Sequence, residues 1–166
     1  MSNDDRLIYL LSVAQQTLKD HTNRALAEKG GKVTLAQAGI LFLLREKDGR
    51  YMSEMGQVIG VDNSAMTRLV DRLEKSGLVK RQIDPENRRA ISVLLTEVGR
   101  EEASGALKII KSINEEIKKG YSPAEVDAFK KILGGILQKF KAPPASMSVM
   151  QSRSSREAGK KMNTTQ

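Results

Sequence analysis

Hydrophobic residues recur at intervals of three and four along most of this 166-residue chain, which predicts a protein built mainly from amphipathic helices. The first helix spans about residues 4–28 and ends at the Gly30-Gly31 pair. Thr34 can cap a second helix, Leu35–Lys47. The centre of this second helix is apolar on nearly all sides, which is typical of a segment in the middle of a core.

A short helix, a tight turn and a longer helix follow. One face of the short helix is apolar at Met52, Met55 and Ile59. Gly60 then stands where a helix commonly ends in a left-handed residue, and Asp62, Asn63 and Ser64 are all good starters for the next helix. One face of the longer helix, which closes at Gly77, is apolar at Met66, Leu69, Val70 and Leu73. Two helices joined by a turn that contains glycine indicate a helix-turn-helix.

Two short runs behind the longer helix, Leu78–Ile83 and Ala90–Leu95, alternate apolar and polar residues as half-buried strands do. Between them, Asp84 and Pro85 suit the first two positions of a type I turn, so the runs predict a hairpin with a charged tip. A helix-turn-helix followed by such a hairpin is a winged helix. Arginines at the tip are placed to reach a DNA backbone or an A·T-rich minor groove.

The polar face of the longer helix carries groups that can read donor and acceptor patterns on base edges. These residues are Asn63, Ser64, Thr67, Arg68, Asp71 and Arg72. The exposed face of any amphipathic helix can have this composition. The hairpin that follows favours a DNA-binding interpretation, because the combination is more specific than either half.

The segment TRLVDRLEKSGLVKR, followed by DPENRRAISVLLTEVGR, resembles the recognition helix and wing of the MarR family of bacterial transcriptional regulators. The family signature is matched at Asp84, Pro85, Arg88, Arg89 and Thr96. The resemblance is strongest over about residues 52–100 and continues more weakly from the N-terminus to about Lys141. It implies a mainly α (α+β) fold in one domain, residues 1–141. A winged helix-turn-helix core at about 34–96 would be flanked by long N- and C-terminal dimerisation helices.

Two further helices are predicted after the wing, at about residues 96–119 and 122–140. Ser122 and Glu125 form a capping box, with Pro123 at the first helical position. In the MarR family the first helix and the last two interlock between subunits. The resemblance therefore implies a homodimer that places two recognition helices on a pseudo-palindromic site.

Glycines interrupt both of these predicted helices. Gly99 and Gly105 lower helix propensity, and each marks close packing against another helix or is a tolerated surface glycine. Gly134-Gly135 in the last helix suggests a close helix crossing.

The net charge of +8, from 28 lysines and arginines against 20 acidic residues, favours an acidic partner, with nucleic acid first. Half of the excess lies in Lys141–Gln166, which has five basic residues and one acidic residue. Pro143-Pro144 and the lack of periodicity predict a flexible basic tail at 142–166. The remainder is only mildly basic, so charge alone does not identify the partner.

The chain has no cysteine and a single histidine, which excludes a thiol nucleophile, a disulfide framework and a thiol redox sensor. Without a glycine-rich phosphate loop, a metal-ligand cluster or a nucleophile elbow, we expect no enzyme activity, no cofactor and no metal. Neither a signal peptide nor a long apolar segment is evident, so we expect a cytoplasmic protein. The alternative to a sequence-specific regulator is a winged-helix architectural or protein-interaction module.

The resemblance also implies residue roles. Asn63, Ser64, Thr67 and Arg68 would face base edges and Arg72 the phosphates, whereas Arg88 would contact the minor groove or backbone. Arg89 would pair with Asp62 and fix the angle of the wing. Many members of the family are repressors that release DNA when a small aromatic or phenolic acid binds. The candidate effector-binding residues are His21, Arg24, Phe42 and Arg45.

Overall fold

The structure, a computed structural model, describes residues 6–83 and 91–140. These ranges contain the helices α1 (Leu7–Glu28), α2 (Leu35–Glu46), α3 (Met52–Ile59), α4 (Asn63–Lys75), α5 (Glu97–Lys118) and α6 (Pro123–Lys139). They also contain the strands β1 (Arg50–Tyr51), β2 (Val79–Ile83) and β3 (Ile91–Leu95). The expected mainly helical fold with a winged helix-turn-helix is confirmed.

The chain divides into two compact units, Met1–Ile117 and Lys118–Gln166. The single domain expected for residues 1–141 stays a prediction. No helix among residues 6–83 and 91–140 combines the length and the apolar character needed to cross a membrane.

The core of the first unit forms where α2, α3, α4 and the hairpin meet. Its largest fully buried side chains are Leu26, Ile40, Leu41, Leu44, Met55, Met66, Leu73, Leu78, Val70 and Val93. Three of them come from α2, whose apolar character on nearly all sides predicted this central position. Truncating one of the buried leucines to alanine would cost about 2–5 kcal/mol.

The three strands form one antiparallel sheet in the order β1-β3-β2. In the hairpin, Val79 pairs with Leu95 at the base and Ile83 with Ile91 at the outer end. Val79 and Leu95 are buried, whereas Ile83 is 62% exposed and Ile91 is 38% exposed. The apolar face of the hairpin is therefore buried at the base and exposed towards the tip.

β1 is too short for a periodic pattern, and its two residues pair with Val93 and Ser92 of β3. The side chain of Arg50 also turns back, and its Nε donates a hydrogen bond to the carbonyl of Leu43 at 3.0 Å. β1 therefore depends on its pairing with β3, which lies far along the chain.

Helix caps fix several of the element boundaries. Thr34 and Gln37 form a reciprocal capping box at the start of α2: the N–H of Thr34 donates to Gln37 Oε1 at 3.0 Å, and the N–H of Gln37 donates to Thr34 Oγ1 at 3.4 Å. Gly60 ends α3 in the left-handed conformation with φ of 78°. These local signals explain why the predicted and observed boundaries of α2 and α3 agree closely.

α5 begins directly behind the base of the hairpin. The hydroxyl of Thr96 donates to the carbonyl of Gly77 at 2.7 Å and accepts the N–H of Gly99 at 3.0 Å. A Cβ atom added at Gly99 would lie 2.0 Å from the carbonyl oxygen of Leu78. Gly99 thus marks a close approach to the hairpin backbone rather than to another helix, while a Cβ at Gly105 would meet open space.

In the second unit, α6 starts with the predicted capping box of Ser122 and Glu125. The hydroxyl and the N–H of Ser122 donate to Glu125 Oε2 at 2.7 and 2.8 Å and lower the pKa of that carboxyl. A Cβ at Gly134 or Gly135 would meet nothing within 4 Å, so neither glycine marks a helix crossing within this unit.

Candidate nucleic-acid interface

α4 is anchored to the first unit by one face and leaves the opposite face open. Met66, Val70 and Leu73 are fully buried. The residues of α4 that the sequence predicts as DNA contacts are all exposed: Asn63, Ser64, Thr67, Arg68 and Arg72. We call these five residues the reading face. Because a helix turns by about 100° per residue, they lie on one side of α4.

The side chain of Asp62 caps the N-terminus of α4. Its Oδ1 accepts the hydroxyl of Ser64 at 2.6 Å and the backbone N–H of Ala65 at 2.7 Å. These hydrogen bonds, that from Ser64 first, lower the pKa of Asp62, and the positive charge of Arg68 contributes as well. The carboxylate is therefore held ionised at the end of the helix where the backbone dipole favours a negative charge.

Two hydroxyl groups of the reading face are already engaged as donors. The hydroxyl of Ser64 donates to Asp62, and that of Thr67 donates to the carbonyl of Asn63 at 2.8 Å. A hydroxyl that donates in this way can still accept through its oxygen, which suits an exocyclic amine on a base edge. Arg68 supplies the donors that a guanine edge requires.

Arg81 of β2 joins the hairpin to α4. Its Nη2 lies 2.5 Å from Asp71 Oδ1, and its Nη1 pairs with Glu74 Oε2. The backbone N–H of Arg81 donates to the other oxygen of Glu74 at 3.0 Å, and Nη2 also reaches the carbonyl of Thr67 at 3.5 Å. We call Asp71, Glu74 and Arg81 the helix–strand clamp.

The clamp changes the role of Asp71. The sequence grouped Asp71 with the polar face of the recognition helix, but its carboxylate is bound to Arg81. Partial burial alone would lower the pKa of Arg81, but the hydrogen bonds and charges of Asp71 and Glu74 outweigh it and raise the pKa. The guanidinium therefore stays charged and neutralises part of the negative charge on α4.

The predicted wing tip lies outside the described residues. This applies to the turn at Asp84 and Pro85, to both tip arginines, Arg88 and Arg89, and to the ion pair expected between Asp62 and Arg89. These roles stay predictions. The described part of the hairpin ends at the pair Ile83 and Ile91, two residues beyond the clamp on β2.

Residues 33–91, which include α2, the helix-turn-helix and β2, match the MarR family. The chain is also similar in structure to a mutant MarR from E. coli complexed with operator DNA. That likeness has a TM-score of 0.73 at 26% identity and covers 80% of this chain and 94% of the other. Over residues 33–91 the chain is therefore similar to the MarR family.

Curated relatives of the chain are named as transcriptional regulators. It is 36% identical over 69 residues to the HTH-type transcriptional regulator TtmR of Methylorubrum extorquens (strain PA1), covering 42% of this chain and 35% of the relative. It is 27% identical over 125 residues to the transcriptional repressor MprA of Escherichia coli (strain K12), covering 75% and 71%. The chain thus spans about a third of the length of TtmR. These names support, for the matched region, the expectation of a regulator rather than an enzyme.

The candidate effector residues come from α1 and α2. His21, Arg24 and Arg45 are exposed, whereas Phe42 is partly buried and packs against the core. Their role in binding a ligand stays a prediction. Among the described residues, no three His, Asp or Glu side chains are grouped so that they could hold a metal ion.

The sequence interpretation missed the helix–strand clamp, although the sequence contains a signal for it. Strand alternation places Arg81 on the same side as Val79, which is buried. A guanidinium on the inward side of a strand needs carboxylate partners. Asp71 and Glu74 lie three residues apart on the preceding helix and therefore point in similar directions. Together these positions could have predicted the ion pairs.

Proposed function

We propose that this protein is a transcriptional regulator of the MarR type that binds a specific site on double-stranded DNA. The observation that supports it is the reading face: five exposed polar or basic side chains lie on one side of a helix whose other side is fixed in the core. A rigid helix with short polar groups and arginines suits the donor and acceptor pattern of a major groove. A binder of phosphates alone would need a more uniformly basic face.

The side chains of the reading face contact different parts of the DNA in this proposal. Asn63, Ser64, Thr67 and Arg68 contact base edges, and a bidentate contact from Arg68 to guanine would discriminate against a wrong base by about 1–3 kcal/mol. Arg72, two turns from the start of α4, contacts phosphates. Arg88, and with it the wing, adds a contact to the minor groove or backbone beside the major-groove site.

The DNA-binding form in this proposal is a homodimer. Several large apolar side chains of α1 and α6, and that of Phe140, which follows α6, are between 45% and 84% exposed in the single chain. Those of the two helices are Leu7, Ile8, Tyr9, Leu10, Val13, Phe129, Ile132 and Leu137. Monomeric proteins rarely expose so many large apolar groups in two helices. A second copy of the chain would cover them and present two copies of α4 to half-sites about one duplex turn apart.

In this proposal the regulator is a repressor that responds to a ligand. A matched relative is named as a transcriptional repressor, which supports repression here. A small aromatic or phenolic acid would bind near His21, Arg24, Phe42 and Arg45. It would favour a dimer whose reading faces are badly spaced, and DNA affinity would fall by the difference in ligand affinity between the two states.

The decisive experiment measures binding of the purified full chain to DNA from upstream of its own gene, beside unrelated DNA of equal length, with the salt concentration varied. We expect protection of a near-palindrome and much tighter binding than to the unrelated DNA. Equal and steeply salt-dependent binding to both DNAs, and to duplexes selected from a random pool, would instead support an architectural module.

A further inference from the structure

We propose that Arg81 is a positioning residue for DNA binding: it fixes the direction of the wing relative to α4, so that both can contact one duplex. The inference rests on the proposed function and assigns a role to a residue that belongs neither to the reading face nor to the wing tip.

The helix–strand clamp joins α4 and β2 through both side chain and backbone. Glu74 binds the guanidinium of Arg81 with one oxygen and its backbone N–H with the other, at 3.0 Å. Asp71 binds the same guanidinium at 2.5 Å from one turn earlier in α4. Bonds to two successive turns of the helix and to the strand backbone restrict both the distance and the angle between the two elements.

The clamp lies at the last level of the hairpin that the core holds, because Arg81 pairs with the fully buried Val93. Beyond Arg81, the apolar side chains of Ile83 and Ile91 are exposed, so packing does not orient this end of the hairpin. The strand leads directly from Arg81 to the predicted tip, in which Arg88 is seven positions further along the chain. A small change of angle at Arg81 would therefore move the tip away from the duplex that α4 contacts.

The chemistry requires arginine. The planar guanidinium presents several donors in a fixed fork and binds two carboxylates at once, whereas a lysine ammonium is a single flexible charge. The side chain of Arg81 is 22% exposed, against 46% for Asp71 and 39% for Glu74. Arg81 is thus the least exposed member of the clamp, and both carboxylates bind it from more exposed positions.

A double-mutant cycle tests this role. Dissociation constants are measured for the wild type, Arg81→Gln, Arg88→Ala and the double variant, using the duplex that the wild type enriches from a random-sequence pool. If Arg81 positions the wing, Arg88→Ala weakens binding strongly when the clamp is intact and much less when it is broken. We expect the two effects to differ by a factor on the order of three or more.

Matched variants separate positioning from charge and from stability. Lys80→Gln removes the same charge from the exposed neighbouring position of β2 and should be additive with Arg88→Ala. Arg81→Lys keeps the positive charge but lacks the forked guanidinium. Its coupling with Arg88→Ala should therefore be intermediate between those of the wild type and Arg81→Gln. Asp71→Asn breaks one arm of the clamp and keeps Arg81, so it replaces Arg81→Gln in the cycle if circular dichroism shows that Arg81→Gln does not fold.

The outcomes distinguish this inference from the proposed function. If the wild type enriches a duplex but the cycle is additive, Arg81 does not position the wing. The same conclusion follows if Arg88→Ala binds as tightly as the wild type, because there is then no wing contact to position. A wild type that enriches no duplex overturns the proposed function, and the inference with it.

Discussion

The carboxylate of Asp48 accepts the backbone N–H of Leu95 at 2.8 Å, although 47 positions separate the two residues. The same oxygen accepts the N–H of Gly49 at 3.1 Å, and the second oxygen lies 3.0 Å from the guanidinium of Arg100. One side chain in the turn after α2 therefore binds the last residue of β3 and the first turn of α5.

Asp48→Ala should lower the free energy of unfolding by about 1–3 kcal/mol, because the partly buried N–H of Leu95 loses its acceptor. Asp48→Asn keeps an acceptor and should cost less. Arg100→Ala removes only the partly exposed ion pair and should cost about 0–1 kcal/mol. Urea unfolding of the three variants measures this order, and equal losses for Asp48→Ala and Arg100→Ala would contradict it.

Gly99→Ala should destabilise the protein by about 1–3 kcal/mol or more, because the added Cβ would overlap the carbonyl of Leu78, 2.0 Å away. Gly105→Ala provides the matched control on the same helix, where a Cβ meets open space. It should raise stability by up to about 1 kcal/mol through helix propensity. Thermal unfolding should therefore shift in opposite directions, and a shift in the same direction would show that packing at Gly99 is not the cause.

The elements that the sequence predicted well have their signals within their own residues. α3 ends at the left-handed Gly60 as predicted, and α4 begins after Asp62, one of the three helix starters that the sequence offered. The capping box at Ser122 and Glu125 was predicted in the same way. Such signals depend on neighbours within about one helical turn, so they can be recognised in a single sequence.

What the sequence interpretation missed depends on distant partners. β1 has two residues and exists only because β3 pairs with it. Asp48 and Leu95 are close in space but have no common periodicity. At the candidate site, the exposed residues of α4 followed from the helical period, whereas the binding of Asp71 by Arg81 depends on how closely β2 approaches the helix.

Acid should destabilise the first unit through Asp62. Its pKa is lowered in the folded protein, so its stabilising effect is present above the pKa of the unfolded chain and is lost as the pH falls through the folded value. The difference in unfolding free energy between the wild type and Asp62→Ala should therefore shrink on acidification. Denaturant unfolding at several pH values measures this difference.

Ser64→Ala supplies the control for the acid effect. It removes the hydroxyl that makes the largest contribution to the lowered pKa of Asp62, and so should move that pKa back towards its ordinary value. An NMR titration of the Asp62 carboxyl carbon reports the shift directly. If the titration of Asp62 is the same in the wild type and in Ser64→Ala, the hydrogen bond from Ser64 is not the main cause.

Arg68 and Arg72 are both exposed on α4, yet their loss should have different consequences for DNA binding. Arg68→Ala should reduce the preference for the specific duplex over unrelated DNA by about 1–3 kcal/mol, because it removes a contact to a base edge. Arg72→Ala should weaken binding to both DNAs alike and reduce the slope of log affinity against log salt by about 1, because it removes a phosphate contact. Titrations of both variants against both duplexes at several salt concentrations separate the two roles. If Arg72→Ala changes the preference and Arg68→Ala changes only the salt slope, the two assignments must be exchanged.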